Sequence, residues 1–258
     1  MNIYQKYLTK NDCYKANKYI KVKGLMLHST GANNPNVRRY VSDNGEVLGV
    51  NKNNNDWNRA GIQKCVHGFI GYDKNKNIVT VQTLPWDMRG WHSGKAANNT
   101  HIGIEICEND LSNKEYFDKV YKEAVEVFAY LCKKFDLNPL VDILDHSEGA
   151  KKGIASNHAD VMHWFPKHKK SMTTFRNDVN KLVKQDVMLE PYLVQVNTAV
   201  LNVRAEAGTH SKIVTQVRKG EVYTIVEEVM NGKTKWGKLK SGLGYISLQF
   251  TKKYIKKQ

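Results

Sequence analysis

Four features of this 258-residue chain carry side chains able to hold a metal or move a proton: His28, Glu105, His146 and the run His158-Ala159-Asp160. Two imidazoles and one carboxylate are the protein ligands of a catalytic zinc whose fourth position stays open. The four features lie far apart along the chain, so separate elements must bring them together. The sequence contains no HExxH, which excludes the commonest metalloprotease layout.

The elements that position these residues follow from periodicity. In Gly24-Leu25-Met26-Leu27-His28-Ser29-Thr30-Gly31, Met26 and His28 share one side with Val22, while Leu25 and Leu27 take the other. This predicts a buried strand that ends in turn chemistry, with the imidazole at the rim of a sheet. Residues 101–107 alternate likewise, with Ile102, Ile104 and Ile106 on one face and Gly103, Glu105 and Cys107 on the other. A carboxylate in mid-strand needs a reason, because burying it unpaired is costly. Residues 66–72 and 78–84 read as two strands of a hairpin, joined by the turn-rich 73–77. Gly90-Trp91-His92-Ser93-Gly94 is a short loop, 37–41 a helical turn, and 43–58 an exposed Asn- and Gly-rich stretch. Ser112 with Glu115 matches a capping box, and Phe117, Val120, Ala124, Phe128, Leu131 and Phe135 have helical spacing. Residues 143–146 form a short strand or its end, and Met172, Phe175, Val179 and Leu182 mark a last helix.

Residues 184–191 read as a linker between a first domain, 1–183, and a second, 192–258. The second holds short valine- and isoleucine-rich runs broken by Gly208, Gly220, Gly232, Gly237, Gly242 and Gly244, the pattern of a small all-β barrel. A barrel of that size leaves little room for a buried active site, so binding is its expected role. The net charge is +15. Residues 1–185 carry 28 Lys and Arg against 19 Asp and Glu, and 186–258 carry 12 against 6, so both parts are basic. Such a field favours a polyanionic partner. The lysines are spread out and lack the Arg-rich, aromatic-interleaved pattern of nucleic-acid binders, so no nucleic acid is expected. No apolar run is long enough to span a membrane, and the first 14 residues lack the apolar core of a signal peptide. Synthesis in the cytoplasm is therefore expected. Cys13, Cys65, Cys107 and Cys132 contain no Cys-x-x-Cys pair, which argues against a zinc knuckle.

Taken in order, Leu27-His28-Ser29-Thr30-Gly31, Val66-His67-Gly68-Phe69-Ile70, Gly90-Trp91-His92-Ser93-Gly94, Ile102-Gly103-Ile104-Glu105, His146 and His158-Ala159-Asp160 resemble the motifs of the zinc N-acetylmuramoyl-L-alanine amidases of the type-2 amidase and peptidoglycan-recognition family. The tail, with Leu201-Asn202-Val203-Arg204, Gly208-Thr209 and Trp236-Gly237-Lys238-Leu239, resembles a bacterial SH3 cell-wall-binding domain. The pair looks like an endolysin or autolysin. The resemblance implies an α+β fold, a mixed sheet flanked by helices, followed by a small SH3-like barrel. It implies zinc on His28, His146 and Asp160, with Glu105 working on the zinc-activated water. Peptidoglycan is the implied substrate, cut at the amide between N-acetylmuramic acid and L-alanine after release of the enzyme to the wall. His158 stands where the family often has lysine and is the implied oxyanion donor; His158 is also the rival to Asp160 as third ligand. His67, Trp91 and His92 match positions near the substrate groove. The competing expectation is a recognition module that binds peptidoglycan without cutting it.

Overall fold

The alternation of apolar residues on two strands decides how the first part of the chain packs. The structure, a computed structural model, describes residues 3–185, 191–232 and 234–255. The chain divides into two compact units, Met1–Val183 and Lys184–Gln258. The first contains β1 (Ile3–Gln5), α1 (Asp12–Lys15), β2 (Gly24–Asn33), β3 (Gly68–Tyr72), β4 (Ile78–Gln82), β5 (His101–Glu108), α2 (Lys114–Phe135), β6 (Ile143–Asp145), α3 (His146–Lys151) and α4 (Met172–Gln185). Its six strands lie in the order β1-β4-β3-β5-β2-β6. Only β3 and β4 pair antiparallel, as the hairpin expected from 73–77; the other neighbours run parallel.

One face of the sheet presents Leu25, Leu27, Ile102, Ile104 and Ile106 to α2 and α4. From α2 come Phe117, Val120, Ala124 and Phe128, and from α4 Phe175 and Val179. The other face carries a second core with Val37, Tyr40, Leu48, Phe69, Val81 and Cys107. Val22 packs with the first core and not on the side of Met26 and His28, because β2 begins only at Gly24 and the alternation does not reach back to it. Helix α2 starts one residue later than the expected cap. Ser112 Oγ is taken by Asp110, and Asn113 accepts from the Tyr116 amide instead. Residues 37–39 form a 3-10 turn. The stretch 43–58 is only partly exposed. The Asp43 carboxylate is fully buried and accepts from the amides of Gly45, Val47 and Leu48, and Leu48 is buried with it. A buried carboxylate ringed by amides organises a stretch whose composition alone reads as surface.

Helix α4 runs to Gln185, two residues into the expected linker, and 186–190 lie outside the described residues. The second unit contains β7 (Tyr192–Val196), β8 (Val200–Arg204), β9 (Ile213–Arg218), β10 (Val222–Asn231), β11 (Thr234–Leu239), β12 (Tyr245–Ser247) and β13 (Thr251–Lys253). Its strands pair antiparallel in the order β13-β7-β10-β11-β12-β8-β9 around Val194, Val196, Leu201, Val203, Ile225, Leu239 and Ile246. Among the described residues β9 and β13 do not pair, so the expected barrel is an open sheet. In β9, Val217 is the one side chain that reaches the core. All four cysteines are free and buried.

Candidate metal centre

His28 stands in the middle of β2, Glu105 in β5, and the two residues are register partners on adjacent parallel strands. Both therefore project from the same face, beyond the apolar cores. His146 follows β6 directly and opens α3, where Asp145 caps the helix and forms a capping box with Glu148. Glu148 also takes two bonds from the Arg176 guanidinium, at 2.8 and 3.1 Å, so the start of α3 is fixed to α4. Asp160 opens a 3-10 turn over residues 160–163. Its φ of +41° lies in the left-handed region, which aspartate tolerates better than most residues. That turn is tied down by His163 Nε2, 3.1 Å from the buried Glu108 carboxylate, whose Oε1 also accepts from the Gly31 amide.

These elements bring three donor atoms together. His28 Nδ1 lies 3.2 Å from Asp160 Oδ2, His146 Nδ1 lies 2.9 Å from the same oxygen, and the two Nδ1 atoms are 3.2 Å apart. Three ligands about 2.0–2.1 Å from one tetrahedral cation are separated by roughly 3.3–3.4 Å. The observed edges of 2.9 to 3.2 Å are a few tenths of an ångström shorter, so a small outward shift of the side chains admits the ion, and the donor set of two imidazoles and a carboxylate suits it. Burial lowers the pKa of His28 against the pull of Asp160, which keeps the ring neutral, the form that ligates. Burial alone would raise the Asp160 carboxyl. Hydrogen bonds and charge from His146 and His28 outweigh that and hold it well below the ordinary carboxylate range.

The centre opens into a cleft of about 490 Å³ lined by Thr30, Gln63, Lys64, Trp91, Glu105, Ser156, His158 and His163, among others. Glu105 is half-buried, and its Oε2 is buried with no hydrogen-bond partner. Burial pushes its pKa well up, the nearby carboxylates of Asp160 and Glu108 add to this, and Lys64 opposes it. A carboxyl so placed exchanges a proton near neutral pH more readily than an ordinary glutamate. His158 is exposed at the rim; its Nδ1 faces Ser156 Oγ at 3.1 Å and its ring packs against His146. It stands outside the donor triangle. Trp91 lines the cleft.

The two remaining histidines sit deeper. His67 is fully buried and does not line the cleft. Its Nε2 donates to the Met88 carbonyl at 2.7 Å, and its Nδ1 accepts from the Gly103 amide at 3.0 Å, so both ring nitrogens are used inside the protein. Burial drives its pKa down to about 4. His92 lines the cleft, but its Nδ1 meets His28 Nε2 at 2.9 Å and its Nε2 meets the His101 carbonyl at 3.0 Å. Of the other aromatics, Trp86 is a core residue and Trp57 packs on Tyr40 and Phe69. Sequence reasoning missed Glu108, Glu148, Ser156 and Lys64. Only Glu148 left a signal, its position three residues after Asp145.

A family model described as N-acetylmuramoyl-L-alanine amidase matches residues 18–166, and one described as bacterial SH3 domain matches residues 199–256. Among solved structures, the Staphylococcus aureus hydrolase AmiA in complex with its ligand aligns with a TM-score of 0.54 at 20% identity, covering 72% of this chain and 85% of that one. A mutant of PlyL aligns with a TM-score of 0.50 at 18% identity, covering 69% of this chain and 98% of that one. At these identities the likeness is one of fold. A search of the curated proteins finds no match.

Proposed function

This chain belongs to the N-acetylmuramoyl-L-alanine amidase family and is a peptidoglycan hydrolase, and on that premise we propose that the triangle of His28, His146 and Asp160 is its zinc site and that Glu105 and His158 carry the proton and charge movements. The observation that carries the reading is the donor triangle, with edges of 2.9 to 3.2 Å, at the floor of an open cleft beside an unpartnered glutamate. When bound, zinc supplies a Lewis acid that polarises an amide carbonyl and makes water acidic near neutral pH. Glu105 removes a proton from the attacking water at its free carboxylate oxygen and returns it to the leaving amine of L-alanine. Its raised pKa suits both halves of that transfer. His158 donates to the oxyanion that develops on the carbonyl, a contact worth about 3–4 kcal/mol. Trp91 offers an apolar wall for the substrate, and Lys64 sets the charge balance at Glu105. His67, with both nitrogens engaged, serves the scaffold and not the substrate.

The second unit, in this reading, holds the enzyme on the wall. A groove of about 210 Å³ there is lined by Asn202, Arg204, Thr209, Trp236, Ser247 and Phe250, and the buried Ser247 Oγ has no partner. One guanidinium and several neutral hydrogen-bonding groups beside aromatic rings suit wall peptide or sugar, and the basic surface favours encounter with anionic wall polymers. Among the described residues no helix is long and apolar enough to cross a membrane. Action on the wall follows release from the cell that makes the protein.

The deciding experiment is digestion of purified peptidoglycan with and without a chelator, followed by product analysis. New L-alanine amino termini that vanish with chelator and return with zinc are expected. New reducing sugars would mean a glycosidase, and turbidity that never clears would favour recognition without cutting.

A further inference from the structure

Both imidazoles of the donor triangle present Nδ1 to it, and both Nε2 atoms lead back to one short loop. The His101 carbonyl can only accept, so the His92 Nε2 that lies 3.0 Å from it carries the proton. Neutral His92 then has a bare Nδ1, and His28 Nε2 must donate to it across 2.9 Å. The His28 Nδ1 lone pair is left facing the triangle. On the other side, the Ser93 carbonyl accepts from the Ser156 amide at 2.8 Å and, at 3.2 Å, takes the single proton of Ser156 Oγ. With its proton on the Ser93 carbonyl, Ser156 Oγ offers His146 Nε2 a lone pair at 3.1 Å, so His146 Nε2 carries the proton and its Nδ1 is bare. The residues at the two ends of this arrangement, His92 and Ser93, are adjacent in the 90–94 loop.

The loop is held by one buried side chain. Asn98 Oδ1 accepts from the His92 amide at 2.9 Å, the Ser93 amide at 2.8 Å and Ser93 Oγ at 3.0 Å, and the Asn98 amide donates to Ser93 Oγ at 3.0 Å. The sheet is shaped to receive it: a Cβ on Gly103 would stand 2.5 Å from His92 Cγ, so only glycine lets the ring lie flat against β5. We infer that the 90–94 loop, anchored by Asn98, is a shared positioning device that sets the tautomer of both imidazole ligands. His92 and Asn98 are thus positioning residues and not substrate contacts. The inference rests on the proposed cation site and extends it to residues that touch neither ion nor substrate.

Zinc affinity of the full-length protein, measured by competition with a chromophoric chelator, tests this, together with the visible spectrum of the cobalt-loaded protein. His92→Leu removes the acceptor and is expected to weaken zinc 10- to 100-fold and to alter the cobalt bands. His92→Asn restores an oxygen near the Nδ1 position and is expected to stay within about threefold of wild type. Asn98→Leu is expected to lose affinity like His92→Leu, while Asn98→Asp, which keeps the triple acceptor, is expected to retain it. Unchanged affinity and spectrum in His92→Leu would overturn the inference, as would equal losses in His92→Leu and His92→Asn. If His92→Leu does not fold, the comparison of His92→Asn and Asn98→Asp with wild type decides, since both must hold zinc. Failure of wild type itself to bind zinc would instead remove the cation site.

Discussion

The two faces of the six-stranded sheet are built from the same strands and differ in what they must satisfy. On one face Leu25, Leu27, Ile102, Ile104 and Ile106 lie fully buried under α2 and α4. On the other, Met26, His28, Gly103 and Glu105 occupy the intervening positions. The apolar face needs only shape and volume. The other face, beside its second apolar core, holds groups that an ordinary core would exclude, a buried neutral histidine and a glutamate with an unpartnered oxygen, and the 160–163 turn brings an aspartate with left-handed backbone to them. The lesson is that period-2 alternation lets one strand serve stability and chemistry at once, because neighbouring residues never share a face. The energetic strain on the polar face is carried by the packing behind it.

Substitutions on the two faces should therefore fail in opposite ways. The largest effect is expected from Glu105→Gln, with wall hydrolysis reduced about 10²- to 10⁴-fold and zinc retained. Its thermal midpoint should stay level or rise, because an amide is cheaper to bury than a lone carboxyl. Near-normal clearing of wall suspensions would remove Glu105 from the mechanism. Ile104→Ala is the mirror case, with an expected loss of about 2–5 kcal/mol in denaturant unfolding and little change in turnover by the folded fraction. A stability loss below about 1 kcal/mol would show that the helix-covered face is not the load-carrying core.

His67 sharpens the comparison through pH. Its folded pKa of about 4 lies below the unfolded value of 6.5, so the unfolded chain binds the extra proton between those limits. Stability from this group is full above about 6.5 and is lost as pH falls to 4, a change of about 3 kcal/mol. In chelator-treated protein, His67→Gln should have a flatter stability profile than wild type across that window; parallel profiles would contradict the neutral buried ring. The smallest effect is expected at the helix start that carries His146. Arg176→Ala frees Glu148 from its two guanidinium bonds and should lower stability by about 1–2 kcal/mol, with a modest weakening of zinc. An unchanged unfolding midpoint would assign that ion pair no part in fixing α3.

Much of this was legible in one dimension, and the departures have local causes. The strand bearing His28, the strand bearing Glu105, the 73–77 hairpin and the long helix follow from periodicity and turn residues. The cap of α2 shifted by one residue because Asp110 competes for Ser112. The 43–58 stretch is less exposed than its composition implies because its order comes from the single buried Asp43, which composition averages away. His92 matches the motif of a groove residue, yet its hydrogen-bond partners, His28 and the His101 carbonyl, are set by the fold.

What the sequence determined by itself is the supply of donors and the face each would occupy, because side-chain type and strand parity are local properties. Which atoms meet is a different matter. The 2.9 Å approach of His146 to Asp160 and the orientation of each imidazole depend on parallel strand order, a left-handed residue and a loop held by Asn98. Those are contacts between distant segments, and only closing the chain in three dimensions fixes their angles and distances.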